Sequence, residues 1–333
     1  MKIKISKKQI GDNCPTFLVA EAGINHNGSL KIAKKMVDQA EIIGADAIKF
    51  QTFKTEEFNS NEKYFEIFKN AELRYDEFEE LSDYTKSKEM IFFSTPFSEE
   101  SADVLHKLKV PMFKIASGDI THTPLLKHIA SMKKPIIIST GMSNLKEIKN
   151  AIDIVKNEKN NKIILMHSVS AYPTPYNEVN MVVMNLLKEK WAYPVGYSDN
   201  GPGVLVPQVA ASLGATIIEK HFTLDKKMKG PDQALSINPK EFQELVIKIR
   251  EIEQILGKKN KHSQPSEQET KIAARRSIVA NSIIPKGTKI SKNMLSIKRP
   301  ATGISPSKLN SIIGKNANKT ISFNQTVKWD DIS

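Results

Sequence analysis

The chain has 333 residues and a mass of 37.3 kDa, too long for one small domain and suited to a large domain of ~250 residues with a short companion. Hydrophobic residues at 40% and charged residues at 26% exclude wholesale disorder, and no apolar run approaches the ~20 residues of a membrane span. The net charge of +12 comes from lysines spread beside acids, as from Lys31 to Glu41, without the aromatic–basic motifs of RNA binding. It reads as a lysine-rich solvated surface that keeps a few cations for an anionic ligand, with neither nucleic acid nor membrane as partner.

The first residues, MKIKISKKQIGDN, lack the apolar stretch of a secretory signal. A single cysteine, Cys14, allows no intrachain disulfide and no Cys-based structural zinc site. Both point to a cytoplasmic protein. Short β-branched or apolar runs then recur at 17–20, 47–50, 91–93, 112–115, 135–138, 163–166, 194–197 and 216–219, each the length of a buried parallel strand. Helical patterns lie between most of them: 30–43 has apolar residues at Ile32, Met36, Val37, Ala40 and Ile43, near a 3.6 period, and 98–108, 145–155 and 204–213 read likewise. Eight strands alternating with helices predict a (β/α)8 TIM barrel, with an open doubly wound sheet as the alternative.

Pro239 starts a further helix that Gly257 stops. Residues 1–256 are therefore expected to form the barrel. The polar stretch 257–275 reads as a linker. From Arg276 the texture changes to short alternating segments punctuated by Pro and Gly, a small β-rich domain over 276–333. A core that small is marginal alone and calls for a surface to dock on.

Reactive groups of a parallel barrel sit at the C-terminal ends of its strands. Every expected strand here ends in polar residues, among them Glu21, Lys49 with Gln51, Thr95, Lys114 with Ser117, Ser139, Ser198 with Asn200, and Glu219 with His221. Alternation puts Lys49 and Gln51 on one face, and likewise Ser198 and Asn200, and Glu219 and His221. Lys49 and Lys114 among the hydroxyls of Thr95, Ser117 and Ser139 make a phosphate or carboxylate pocket, since lysine supplies a point charge and hydroxyls supply donors. Glu219 and His221 suit a divalent ion such as Mn, Fe, Co or Zn. His26, in the loop INHNGS, precedes a helix start that caps itself through Asn27 or Ser29, or takes an anion.

The run AEAGINHNGSLKIAKKMVDQAEIIGADAIKFQTF resembles the N-terminal signature of the sialic acid synthase (NeuB-type) family. STPF at 94–97, FKIASGD at 113–119, STGM at 139–142, AYPTPYNEVN at 171–180, GYSD at 196–199 and EKHFTLDKKMKGPD at 219–232 follow in the family's order. SIVANSIIPKGTKIS and IKRPATGIS resemble the antifreeze-like SAF domain that ends those enzymes. The resemblance implies a transferase that condenses phosphoenolpyruvate with an N-acyl amino sugar, either N-acetylmannosamine or a diacetamido-trideoxy hexose. The product is a nine-carbon 2-keto acid for surface glycans, released with phosphate.

The same resemblance implies roles. Lys49, Thr95, Lys114, Ser117, Ser139 and Ser198 hold phosphoenolpyruvate, with Gln51 close by. Glu21, Tyr172, Asp232 and Ser170 meet the sugar, and Arg299 reaches it from the SAF domain of a domain-swapped homodimer. Glu21 or Glu219 handles protons. A divalent cofactor, Mn or Mg with Co as a further option, lies on His221 and on Asn200, which stands where the family usually has His. Asp119 stands where Glu is more usual, and Ser170 where sialic acid synthases proper carry Asn. Two other readings are a Schiff-base pyruvate aldolase using Lys49 or Lys114 and a sugar-binding derivative without catalysis.

Overall fold

The computed structural model describes residues 1–333. It divides into two compact units, Met1–Gly257 and Lys258–Ser333.

The first unit opens with an antiparallel hairpin, β1 (Lys2–Ile5) and β2 (Lys8–Gly11). Eight parallel strands follow: β3 (Phe17–Gly23), β4 (Ala47–Thr52), β5 (Ile91–Pro96), β6 (Phe113–Ile115), β7 (Ile136–Ser139), β8 (Ile163–Ser168), β9 (Val195–Asp199) and β10 (Ile217–His221). They hydrogen-bond in the order β5-β4-β3-β10-β9-β8-β7-β6. The first barrel strand thus pairs with the last, Ile217 opposite Phe17 and His221 opposite Glu21. β5 and β6 stand side by side and bring the sheet round to a nearly closed barrel. This is the TIM-like architecture expected from the alternation of strands and helices, and the open-sheet alternative falls with the β3–β10 ladder. The strands run one to three residues past the apolar runs in most cases, so several of the polar residues expected just beyond a strand belong to it.

Two layers of apolar packing hold the barrel. The outer layer lies between strands and helices, where Ala33, Met36, Val37 and Ala40 of helix Leu30–Ile42 meet the sheet. Helix starts are fixed locally: Asn144 and Asn238 each accept from the N3 amide while Glu147 and Glu241 reach back to the cap residue. The inner layer comprises Val19, Ala47, Phe93, Met112, Ile137, Met166 and Ile217, closed from below by Ile3, Ile5 and Ile10 of the hairpin. Two residues further along most of these strands the inward position turns polar: Glu21 after Val19, Lys49 after Ala47, Thr95 after Phe93, Lys114 after Met112, Ser139 after Ile137, Ser168 after Met166 and Glu219 after Ile217. An oily plug therefore changes into a polar mouth across one period of the pleat.

The second unit pairs β11 (Ser277–Ala280) with β12 (Leu295–Lys298) around its own core of Ile278, Ile284, Ile290, Ile312, Ile321 and Val327. The polar stretch read as a linker is not without structure: it contains the helix Gln268–Ala274, which has no buried residue and hence no apolar periodicity to reveal it.

Candidate active site

The barrel mouth opens into a cavity of about 320 Å³. Thirteen of the residues singled out in the sequence line it: Glu21, Lys49, Gln51, Thr95, Lys114, Ser117, Ser139, Ser170, Tyr172, Ser198, Asn200, Glu219 and His221. Asp232 stands at its edge, with Oδ2 3.8 Å from His221 Nδ1. Arg299 is exposed at the end of β12 in the second unit and has no ionic partner. Ser168, Phe97 and Met142 also line the cavity. Ser168 is the last residue of β8, a strand-end hydroxyl like the others; Phe97 and Met142 close the STPF and STGM runs, but their apolar type assigns them no chemistry.

Glu219 is the hub. Its Oε1 accepts from Lys114 Nζ at 2.8 Å and from Ser198 Oγ at 3.1 Å, and Lys49 Nζ lies 3.7 Å away. Lys49 Nζ is also 2.8 Å from Glu21 Oε2 and donates to Thr95 Oγ1 at 3.0 Å. Gln51 Nε2 donates to Glu21 Oε1 at 3.4 Å. Both lysines and both glutamates are at most 5% exposed, so two ammonium groups and two carboxylates share one desolvated space. Buried charges survive only when paired, and here each sign satisfies the other.

The shared environment splits the two carboxyls. Burial raises both, but the Lys114 and Lys49 ammonium groups outweigh it at Glu219 and hold that carboxyl at about 2. At Glu21 burial wins over Lys49, and the carboxyl titrates above its usual range. The lysines split too. Burial lowers Lys49, yet Glu21 and Glu219 more than restore it, whereas burial with the neighbouring Lys49 leaves Lys114 below its ordinary value.

Hydroxyls complete the floor. Ser117 Oγ accepts from the amide of Gly141 at 3.1 Å, and Ser139 Oγ is buried without a hydrogen-bond partner. Gly141 belongs to the STGM run, which by itself assigns it no role. A Cβ there would lie 2.4 Å from Ser170 Oγ and 2.8 Å from Ser117 Oγ, so only glycine leaves room for both hydroxyls.

Three residues that carry donor atoms suited to a cation, Asn200, Glu219 and His221, line the same cavity. His221 Nδ1 and Glu219 Oε2 are buried without hydrogen-bond partners. The Asn200 amide donates to Val169 O at 2.8 Å and to Ser168 Oγ at 3.3 Å, which orients the side chain and leaves its oxygen uncommitted. No group of three His, Cys, Asp or Glu gathers here. This donor set fits a hard, oxygen-preferring ion that keeps several waters, and does not fit a closed zinc site.

An eight-stranded parallel barrel with a polar, charge-paired mouth and a separate β-rich C-terminal unit defines the class of architecture. Residues 36–261 match the NeuB family and residues 275–333 the SAF domain, and the chain belongs to the NeuB family. It is 41% identical over 344 residues to the N,N'-diacetyllegionaminic acid synthase of Legionella pneumophila, covering 98% of this chain and 97% of the relative. It is 33% identical over 330 residues to a pseudaminic acid synthase of Campylobacter jejuni, covering 95% and 96%. The crystal structure of the N-acetylneuraminic acid synthetase of Leptospira borgpetersenii, solved with citrate, superposes with a TM-score of 0.78 at 39% identity, covering 81% of this chain and 95% of that one.

Proposed function

We propose that the chain is a transferase that condenses phosphoenolpyruvate with an N-acyl amino sugar to give a nine-carbon 2-keto acid and phosphate. The 41% identity to a diacetyllegionaminic acid synthase, against 33% to the human N-acetylneuraminate-9-phosphate synthase, favours a diacetamido-trideoxy hexose over N-acetylmannosamine as the sugar. The observation that carries the reading is the convergence of Lys49, Lys114 and the Thr95, Ser117, Ser139 and Ser198 hydroxyls on one floor, all of them buried except the half-buried Ser117. A ligand bearing a phosphate and a carboxylate together needs that combination of fixed positive charge and neutral donors.

The enol carbon of phosphoenolpyruvate forms a bond to the aldehyde carbon of the open-chain sugar, water adds at C2, and the C–O bond to phosphate breaks. Glu21, whose carboxyl holds its proton more readily, suits the proton given to the nascent alkoxide. Glu219 stays ionised and keeps Lys114 and Ser198 aimed at the pocket. Tyr172, Ser170 and Asp232 meet the sugar around His221; the Tyr172 ring packs edge-on against the His221 imidazole, with centroids 5.9 Å apart. When bound, a Mg or Mn ion, with Co as a further option, supplies Lewis-acid polarisation of the sugar aldehyde. His221 and Asn200 would hold it, with Asp232 beside them.

Arg299 contributes to a sugar site from a partner's C-terminal unit in a domain-swapped homodimer; this part rests on the family resemblance. Incubation with phosphoenolpyruvate, Mn²⁺ and a panel of N-acyl hexosamines, read by phosphate release and product mass, tests the proposal. Absence of phosphate with every sugar sinks it. A covalent adduct after borohydride treatment with pyruvate would instead support the Schiff-base aldolase.

A further inference from the structure

β10 presents Glu219 and His221 to the cavity, and β9 presents Ser198, with Asn200 one residue past its end. The residues between them point to the other side of the sheet and meet there. Lys220 pairs with Asp199 in the parallel ladder, and Lys220 Nζ donates to Asp199 Oδ2 at 2.6 Å. The same ammonium group donates to the carbonyl of Gly201, and Asp199 Oδ1 accepts from the Gly201 amide at 3.0 Å. The two side chains are 1% and 0% exposed. Neither lines the cavity.

A buried ion pair is a poor way to gain stability, because desolvation costs several kcal/mol per ion and a well-packed apolar pair does as well or better. What an apolar pair cannot do is tie a turn to the neighbouring strand. Here one carboxylate and one ammonium group grip both polar atoms of the Gly201 backbone and close the turn directly after Asn200. Each partner of the pair is also the chain neighbour of a residue with a free donor atom: Asp199 of Asn200, and Lys220 of His221. Moving the pair apart therefore moves Asn200 relative to His221.

We propose that Lys220 and Asp199 are positioning residues, a clasp behind the barrel wall that sets the separation of the Asn200 oxygen and the His221 imidazole and so determines divalent-ion affinity. The inference rests on the reading of Asn200 and His221 as the ion's ligands. Supporting shells of this kind govern affinity without touching the ion. The clasp acts on backbone position; the orientation of the Asn200 side chain is set separately by Val169 O.

Mn²⁺ binding, followed by electron paramagnetic resonance of the free ion, tests it on the full chain alongside thermal unfolding. Lys220→Met and Asp199→Asn are each expected to weaken Mn²⁺ binding by roughly 10–100-fold. Glu253→Gln is the control. Glu253 accepts from the Thr16 amide at 2.5 Å at the opposite end of the barrel, so its loss destabilises the fold while Mn²⁺ affinity stays at the wild-type value. Should Lys220→Met fail to fold, Asp199→Asn, which keeps the side-chain shape, decides. Wild-type Mn²⁺ binding with unchanged affinity in the folded variants overturns the clasp and leaves the ligand reading standing. A wild-type chain that does not bind Mn²⁺ overturns both.

Discussion

At the scale of single residues, the site is an exercise in charge pairing, and its lysines are not equivalent. Lys49 is held between two carboxylates, while Lys114 donates to one and lies below its ordinary pKa. Losing Lys114 leaves Glu219 still facing Lys49, so Lys114→Met is expected to keep the fold. It removes one charged donor from the floor, a contact worth ~1.5–3 kcal/mol. The KM for phosphoenolpyruvate should rise ~10–100-fold and the KM for the sugar far less, as steady-state kinetics with each substrate varied will show. Equal changes in both would assign Lys114 a general packing role.

Two residues outside the site shape the response to acid, with opposite signs. His26 is buried, its Nδ1 accepts from the Gly28 amide, and burial depresses its pKa from 6.5 to about 4. The unfolded chain takes up the proton first, so stability due to neutral His26 is complete above pH 6.5 and is lost as pH falls towards 4, by roughly 3 kcal/mol. Asp119 is raised by burial from 3.8 to about 6, the His122 imidazole only partly countering it. Here the folded state binds the proton more tightly, so stability falls as pH rises from 3.8 to 6, on the order of 1–3 kcal/mol. Denaturant titrations should show that His26→Gln flattens the loss below pH 6.5. Asp119→Asn should stabilise at pH 7 and have no effect at pH 3.5.

At the scale of elements, the strand is the unit that carries both fold and site. Alternation was enough to place Lys49 with Gln51 and Glu219 with His221 on common faces, and each pair does line the cavity. The same rule applied one residue on would have sent Asp199 and Lys220 to the opposite face, but nothing in the sequence says that two strands 21 residues apart bring them together. The link between Lys114 and Glu219 spans 105 residues and was equally out of reach. The N-terminal hairpin is legible in the alternation of Ile3, Ile5 and Ile10 with polar neighbours, but two four-residue strands are too short to stand out by periodicity alone. Loops gave least. Gly141 shows why, because its role depends on two hydroxyls brought to it from other segments. Gly141→Ala would press on flexible side-chain atoms and not on backbone, so the melting temperature should move by only a few degrees. Ser117 and Ser170 would be pushed from their positions, and kcat/KM should fall by up to ~100-fold, as for a ~1 Å misplacement. A melting temperature that collapses with the activity would show Gly141 to be a folding residue instead.

At the scale of the whole molecule, charge is distributed unevenly. Of the 49 Lys and Arg, 15 lie in Lys258–Ser333, against only 4 of the 37 Asp and Glu. The barrel unit is therefore close to neutral, and it ties its charges into ion pairs along most of its surface. The second unit contains a single ion pair, Lys319 with Asp331. Reading the overall +12 as a solvated lysine surface thus holds for the barrel and understates the C-terminal unit. An excess of this size attracts multiply charged anions over distances that salt screens within ~10 Å at 0.1 M. The proposed substrates differ in this respect, since phosphoenolpyruvate is a multiply charged anion and the amino sugar is neutral. Raising ionic strength from ~20 mM to ~0.5 M should lower kcat/KM for phosphoenolpyruvate by ~10-fold or more, within the range known for steered encounters, while kcat/KM for the sugar changes little. If the two substrates respond to salt alike, the excess charge has no part in capturing the anion, and selection of phosphoenolpyruvate falls entirely to the buried pair Lys49 and Lys114.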